Sequence, residues 1–194
     1  MSNTQKTEKT LLYIVRHGES IGNLNREFLG YTNKDLTELG YKQAEKTAEE
    51  LKNVEFEAIY SSDLQRAYHT AEPHAKMRGM IPIGREDLRE LYVGEWEGKK
   101  VDDIAAKYGE AFTVEWRQNF GTFHHAKGGE GVQALATRIY GALLDIAKKH
   151  TGKTVLVATH AAAIRSFWGI ISGIRPEELA GKIPFPTNAS YSVV

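Results

Sequence analysis

The segment Leu11-Leu12-Tyr13-Ile14-Val15-Arg16-His17-Gly18-Glu19 joins an apolar run directly to a group of charged residues. Residues 11–15 are apolar without alternation, which is typical of a strand that is buried on both faces of a sheet. A second run of this kind, Thr154–Ala158, continues into Thr159-His160-Ala161. Ligands bind at the carboxyl ends of strands in an open parallel sheet. If the two strands are neighbours, His17 and His160 should therefore face one crevice.

The rest of the chain alternates helical and strand-like segments. Helical spacing predicts helices over 37–51, 64–77, 101–108, about 111–120, 132–150 and 161–172, and short apolar runs predict strands over 58–60, 81–83 and 190–194. We expect Thr37 and Asp63 to cap the helices that follow them, and Pro73 to kink or end the second of these helices. Pro82 favours a strand at the edge of the sheet.

These segments predict an α/β fold: a three-layer αβα sandwich with a mainly parallel sheet and a small helical cap insertion at about 90–131. We expect a flexible tail over residues 1–10 and a single catalytic domain over 11–194.

Composition excludes several classes of protein. The 194 residues contain 25 Lys plus Arg, 25 Asp plus Glu and no Cys. This charge balance argues against a nucleic-acid partner and against a polybasic membrane anchor. The absence of Cys excludes disulfides, thiolate metal sites and a Cys nucleophile. The first ten residues lack an apolar run and no later window is long enough to span a bilayer, so we expect a cytoplasmic protein without a membrane partner.

Two further loops place charge after predicted strands. Arg66 falls in the first turn of the helix that follows strand 58–60, where the helix N-terminus already favours an anion. Glu90 follows strand 81–83. Each of these residues alone is more often an ordinary surface side chain, and a single His is more often structural. Two His at equivalent strand ends, one of them beside Arg16, favour a functional site.

Arg16-His17-Gly18-Glu19 after a strand resembles the signature of the histidine phosphatase superfamily. Other segments resemble the family in the same order along nearly the whole chain: Asn23; Leu36–Gly40 with Gln43-Ala44; Ser61–Leu64 with Arg66-Ala67 and Thr70; Leu88–Glu90 with Gly94 and Trp96–Gly98; Gly128–Glu130; and Thr159-His160.

The resemblance implies a role for each matching residue. His17 is the nucleophile and is transiently phosphorylated, whereas Glu90 protonates the leaving oxygen and later activates water. The groups that hold the phosphoryl oxygens are Arg16, Arg66 and His160, with Asn23 as a further donor. Ser20 keeps the hydroxyl of the Thr that is usual at its position, so we expect it to bind substrate. Ala161 replaces a usual Gly, so it could bind substrate only through its backbone and would strain the loop if a positive φ were required.

Elementary chemistry agrees with these roles. A phosphomonoester dianion needs positive charge placed in advance, and an Arg side chain binds two oxygens at once. Nearby Arg residues also disfavour the charged form of His17 and keep it able to attack. The predicted function is therefore metal-independent hydrolysis of small phosphorylated metabolites by a histidine acid-type phosphatase, with no cofactor, acting as a monomer or a homodimer.

Two alternatives remain open at this stage. A cofactor-dependent phosphoglycerate mutase needs a second basic cluster, to which Lys99, Lys100 and Arg117 could contribute. A non-catalytic phosphate-binding module would keep the fold without turnover. Two further ideas fail on spacing or context: a P-loop at Gly152-Lys153-Thr154, which precedes a strand, and metal sites at His124-His125 or at His69 with His74.

Overall fold

The computed structural model describes residues 9–109, 112, 116, 120 and 127–194. A five-stranded sheet with the order β3-β2-β4-β1-β5 forms its centre. The strands are β1 (Leu11–Arg16), β2 (Ala58–Ser62), β3 (Ile83–Arg85), β4 (Thr154–Thr159) and β5 (Tyr191–Val193). The helices are α1 (Ile21–Leu24), α2 (Glu38–Glu50), α3 (Gln65–Lys76), α4 (Val101–Tyr108), α5 (Val132–Lys149), α6 (Ala161–Ile171) and α7 (Leu179–Lys182), with short 3-10 turns at Glu86–Leu88, Gly94–Trp96 and Pro176–Glu178.

The sheet is mainly parallel, as the sequence predicts. Strands β1 and β4 are parallel neighbours, and their register pairs Arg16 with Thr159. Strand β2 is parallel to both β4 and β3, which lies at the sheet edge, whereas β5 is antiparallel to β1. The two histidines that follow β1 and β4 therefore emerge side by side at one end of the sheet.

Two apolar cores cover the two faces of the sheet. Alternate residues of β4 point to opposite sides: Val155 and Val157 belong to the core under α5 and α6, whereas Leu156 and Ala158 belong to the core under α2 and α3. Because side chains alternate along a strand, a strand that is apolar throughout needs a helical layer on each face. The three-layer αβα sandwich is therefore confirmed.

The helix boundaries correct two expectations. Thr37 caps α2 by accepting a hydrogen bond from the Gly40 N–H at 3.0 Å, as predicted. Asp63 does not cap α3; Leu64 occupies the N-cap position, and the Asp63 carboxylate instead pairs with the Arg89 guanidinium. Pro73 does not end α3, which continues to Lys76, with the Pro73 carbonyl accepting a hydrogen bond from the Met77 N–H at 3.2 Å.

The predicted cap region is described only in part. It contains the 3-10 turn Gly94–Trp96 and helix α4, whereas the predicted helix 111–120, apart from Phe112, Trp116 and Phe120, lies outside the described residues. The predicted tail also lies outside them, except for residues 9 and 10. In the described part of the chain, no helix is both long and apolar enough to cross a membrane.

Candidate active site

The carboxyl ends of β1 and β4 bring the two predicted histidines together. The His17 and His160 rings lie 5.2 Å apart between centroids. Strand β2 leads into α3, whose first turn carries Arg66, and the loop after the 3-10 turn Glu86–Leu88 carries Glu90. Four loops of the sheet thus meet at one end, which is what the parallel order of the strands requires.

The His17 ring is fixed in one tautomer. Its Nδ1 lies 2.7 Å from the Gly18 carbonyl oxygen, and a carbonyl can only accept, so Nδ1 carries the proton. The lone pair is therefore on Nε2. The side chain is 4% exposed, and burial, together with the charges of Arg66 and Arg16, lowers the pKa of His17 well below its usual value of 6.5. His17 is therefore neutral at physiological pH and can act as a nucleophile.

Arg66 is 1% exposed and is held by backbone oxygens. Its Nη1 donates to the Thr32 carbonyl at 2.8 Å and its Nη2 to the Gly30 carbonyl at 2.7 Å. Its Nε has no partner in the part of the chain that the structure describes. Burial lowers the pKa of Arg66 to about 10, and the negative charges of Glu90 and Glu97 oppose this effect. The group stays a cation in a site with little water.

Arg16 is anchored by a different segment of the chain. Its Nη1 donates to the Pro186 carbonyl at 2.5 Å, and its Nε has no partner among the described residues. Burial lowers the pKa of Arg16, and Glu90 raises it. Both arginines therefore have part of the guanidinium fixed by the backbone and part unengaged, which suits a clamp for an oxyanion.

The amide of Asn23 is oriented by its neighbours. Its Oδ1 accepts hydrogen bonds from the Ser20 N–H and from the Asn188 Nδ2, both at 3.2 Å, which leaves the Asn23 Nδ2 as the donor available to a ligand. The Ser20 hydroxyl, predicted to bind substrate, caps α1 by accepting from the Asn23 N–H and does not line the cavity. Ser20 thus supports Asn23. Asn188 also donates to the His17 carbonyl at 3.1 Å.

Glu90 lies against the N-terminus of α6. Its carboxylate accepts hydrogen bonds from the N–H groups of Leu91 at 2.9 Å, Ala162 at 3.1 Å and Ala163 at 3.2 Å. The segment that replaces the expected glycines therefore orients Glu90 through its backbone. Ala161 is the first helical residue and is not among the non-glycine residues with positive φ, so the strain that Ala could have caused does not arise.

Arg138 of α5 fixes the loop that carries Glu90. Its Nη1 donates to the carbonyls of Asp87 and Arg89 at 3.0 and 2.9 Å, and its Nη2 donates to the carbonyl of Glu90 at 3.1 Å. The same guanidinium forms an ion pair with Glu130 at 2.7 Å. Three carbonyls and one carboxylate thus hold a single side chain between the loop and the helix.

His160 lies behind His17 and is 0% exposed. Within the described part of the chain, neither of its ring nitrogens has a hydrogen-bond partner. Burial lowers the pKa of His160 well below 6.5, and the charge of Arg66 lowers it further. A buried polar group without a partner is costly, and such groups concentrate at functional sites. His160 is not among the residues that line the described cavity, so its role as a donor to a phosphoryl group stays a prediction.

These residues surround a cavity of about 270 Å³. The polar lining comes from the predicted site residues Arg16, His17, Asn23, Arg66 and Glu90, with Glu27 at the rim, and the walls include Ala161, Phe28, Leu29, Leu91, Val101, Trp116 and Phe185. The cavity therefore combines two cations and the His17 imidazole with several apolar side chains.

Sequence reasoning missed the residues that hold this site in place. Arg138 stands in an ordinary amphipathic helix, and Asn188 precedes the last strand, so neither shows a local signal. Glu97 could have been found, because the Trp96-Glu97-Gly98 match already marks it.

Other candidates from the sequence do not join the site. Lys99 and Lys100 are exposed and do not line the described part of the cavity, and Arg117 lies outside the described residues. His69 bonds to Asp35 and Tyr41, whereas His74 is buried in α3. His124 and His125 lie outside the described residues. Among the described residues, no group of three or more His, Asp or Glu side chains converges as a metal site.

Comparison with known proteins gives three likenesses of similar extent. The model of the histidine phosphatase superfamily (branch 1) matches residues 12–194. A metal-independent phosphoserine phosphatase of Arabidopsis thaliana is 38% identical over 192 residues, which cover 97% of this chain and 77% of the relative. A 2,3-bisphosphoglycerate-dependent phosphoglycerate mutase of Methylorubrum extorquens is 30% identical over 88% of this chain and 82% of the relative.

A solved structure has the same fold. Bacillus stearothermophilus YhfR superposes with a TM-score of 0.87 at 30% sequence identity, over 95% of this chain and 90% of that chain. The relatives carry the names of phosphatases and of a mutase, so these likenesses support an enzyme of the phosphatase or mutase type.

Proposed function

Because the chain belongs to branch 1 of the histidine phosphatase superfamily, we propose that it hydrolyses small phosphomonoesters through a phosphohistidine on His17. The observation that carries this proposal is the state of His17. It is a buried neutral imidazole with its proton on Nδ1, and it lines a cavity shared with two guanidinium groups. A neutral nucleophile beside fixed positive charge is what attack on a phosphoryl dianion needs.

In the first step the Nε2 of His17 attacks phosphorus, and the bond from phosphorus to the ester oxygen breaks. Arg16 and Arg66 stabilise the charge that spreads over the equatorial oxygens. The Asn23 amide and the buried His160 ring add donors. The cations are supplied by the chain itself, so this mechanism needs no metal.

Glu90 moves the protons. Its carboxyl group donates a proton to the departing alkoxide as the ester bond breaks. In the second step the resulting carboxylate accepts a proton from water as the water attacks the phosphohistidine. The bond from phosphorus to Nε2 breaks, and inorganic phosphate leaves with His17 neutral again.

The test is phosphate release in EDTA from phosphoserine, 3-phosphoglycerate and p-nitrophenyl phosphate. We expect release by the wild type and none by His17→Ala. The control is His150→Gln, a histidine that bonds to Tyr60 far from the cavity and should leave the rate unchanged. An acid-labile phosphoenzyme should form in the wild type only. Release by His17→Ala at the wild-type rate would contradict the nucleophile, and loss of activity in EDTA that a divalent metal restores would contradict metal independence.

Mutase activity is the second candidate, because one relative carries that name. The same samples are therefore assayed for interconversion of 3- and 2-phosphoglycerate with 2,3-bisphosphoglycerate present. Interconversion with little release identifies a mutase. Binding of phosphate without either reaction identifies a non-catalytic phosphate-binding module.

A further inference from the structure

Glu97 accepts four hydrogen bonds from the two loops that flank the cavity. Its Oε1 accepts from the Tyr31 N–H at 3.0 Å and from the Val93 N–H at 3.1 Å. Its Oε2 accepts from the N–H and the Oγ1 of Thr32, at 2.7 and 2.8 Å. Each carboxylate oxygen thus accepts two hydrogen bonds, one for each of its lone pairs.

The loop that Glu97 holds is the loop that holds Arg66. The carbonyl oxygens of Gly30 and Thr32 accept from the two terminal nitrogens of the Arg66 guanidinium. The N–H of Thr32 thus binds Glu97 while the carbonyl of Thr32 binds Arg66. A shift of this loop would move both acceptors of Arg66 together.

The sequence of this loop fits the Glu97 side chain closely. Gly30 has a φ of +44°, and a Cβ there would lie 1.8 Å from the Glu97 Oε1. Only glycine allows both this backbone conformation and this approach of the carboxylate.

We propose that Glu97 is a positioning residue that sets the place of the Arg66 guanidinium through the Gly30–Thr32 loop. This inference rests on the proposed function, in which Arg66 binds the phosphoryl oxygens. Glu97 itself touches neither substrate nor the reacting atoms. It acts on Arg66 by fixing the two carbonyls to which that side chain is bound.

Glu97→Gln weakens this role and also removes the negative charge that raises the pKa of Arg66, an effect that an Arg66→Lys background retains because Lys keeps the cation. The amide has nearly the same shape, but its NH2 group replaces one acceptor oxygen and faces N–H donors. We expect the affinity for inorganic phosphate, measured as a competitive inhibition constant, to fall about tenfold, as for loss of a charge-assisted hydrogen bond. The matched control is Glu95→Gln, an exposed neighbour whose carboxylate accepts from the Tyr108 hydroxyl at 3.0 Å and is not among the residues that line the described cavity, so this variant should bind phosphate like the wild type.

A double-mutant cycle separates positioning from a general structural effect. Arg66→Lys removes the guanidinium that donates to the carbonyls of Gly30 and Thr32. In that background, Glu97→Gln should change the affinity for phosphate by less than about twofold. Additive losses would contradict the inference while leaving the proposed function intact. If Glu97→Gln does not fold, Thr32→Val removes only the Oγ1 donor and should weaken phosphate binding less, again only when Arg66 is present. A wild type that neither binds phosphate nor hydrolyses an ester contradicts the proposed function, and this inference with it.

Discussion

Arg16 and Arg66 reach the same cavity but are held by different parts of the chain. Arg16 is fixed by the Pro186 carbonyl, in the segment before β5, whereas Arg66 is fixed by the loop between α1 and α2. The charges of both arginines lower the pKa of His17, so their effects add. Rigid, separately anchored charges need little reorganisation when a transition state forms, which is the basis of electrostatic catalysis.

The role of Glu90 as a proton donor predicts a dependence on the leaving group. We expect Glu90→Gln to slow hydrolysis of alkyl esters such as phosphoserine by about two to four orders of magnitude, the usual range for loss of a general acid. The loss on p-nitrophenyl phosphate should be much smaller, because p-nitrophenolate leaves without a proton. Steady-state kcat/KM values for the two esters give the ratio directly.

The matched control for this prediction is Glu86→Gln, a carboxylate of the same loop that contacts Arg89 at 3.4 Å and does not line the cavity. Glu86→Gln should lower kcat/KM for the two esters by the same factor or leave both values unchanged. Equal losses on both esters in Glu90→Gln would remove Glu90 from the acid role. Such a result would assign it to electrostatic or structural support of α6.

At the scale of elements, the sequence predicted the strands and long helices to within a few residues, because apolar runs and helical spacing are local signals. Thr37 behaved as a cap, but Asp63 did not, because Arg89, 26 residues away, offers its carboxylate an ion pair. The predicted residues Arg16, His17, Arg66 and Glu90 line one cavity, because each lies at the end of a strand or on the segment that follows it. The groups that fix it, such as Arg138 and Asn188, depend on contacts between distant segments and carry no local pattern.

Gly18 and Glu19, in the loop that follows His17, lie so close to α2 that position 40 requires glycine. A Cβ on Gly40 would lie 2.0 Å from the Glu19 carbonyl oxygen, and one on Gly18 would lie 2.4 Å from the Gly40 carbonyl oxygen. Backbone must therefore move to admit either side chain. We expect Gly40→Ala to lower the free energy of unfolding by about 1–3 kcal/mol, the usual cost of overpacking, and to lower kcat/KM because the His17 loop shifts.

The control for Gly40→Ala is Gly141→Ala in α5, where an added Cβ meets no atom within 4 Å. That substitution should leave activity unchanged and should stabilise the protein by about 0.5–1 kcal/mol, because Ala is the better helix former. Urea denaturation and kcat/KM measured side by side provide the comparison. If Gly40→Ala and Gly141→Ala were equally stable, residues 18 and 19 would be able to move away from α2 without a cost in free energy.

At the scale of the whole molecule, three of the histidines that the structure describes are almost wholly buried: His17 is 4% exposed, and His74 and His160 are 0% exposed. Burial lowers the pKa of each below the ordinary 6.5, and that of His74 to about 4. Two of the three belong to the active site, whereas His74 lies in α3. A fall in pH therefore destabilises both the core and the site through buried histidines.

The direction in which stability changes with pH follows from proton uptake. Between pH 6.5 and about 4 the unfolded chain binds a proton at position 74 that the folded chain does not bind, so stability is full above pH 6.5 and falls as the pH falls. The His74 shift alone amounts to about 3 kcal/mol at the acid end of this window. We therefore expect His74→Leu, which cannot take up a proton, to lose less stability than the wild type between pH 7.5 and 4.5.

Urea denaturation at both pH values measures this difference, and the pair at pH 7.5 isolates the change in packing, because His74 is neutral there in both states. Among the described residues, the imidazole nitrogens of His74 have no hydrogen-bond partner, so Leu should not destabilise the protein at pH 7.5 through a lost bond. The active-site histidines are unchanged in this variant, so a smaller pH-dependent loss must remain. If the wild type and His74→Leu lose stability equally, burial at position 74 does not keep the histidine neutral, and the acid sensitivity of the molecule belongs to other groups.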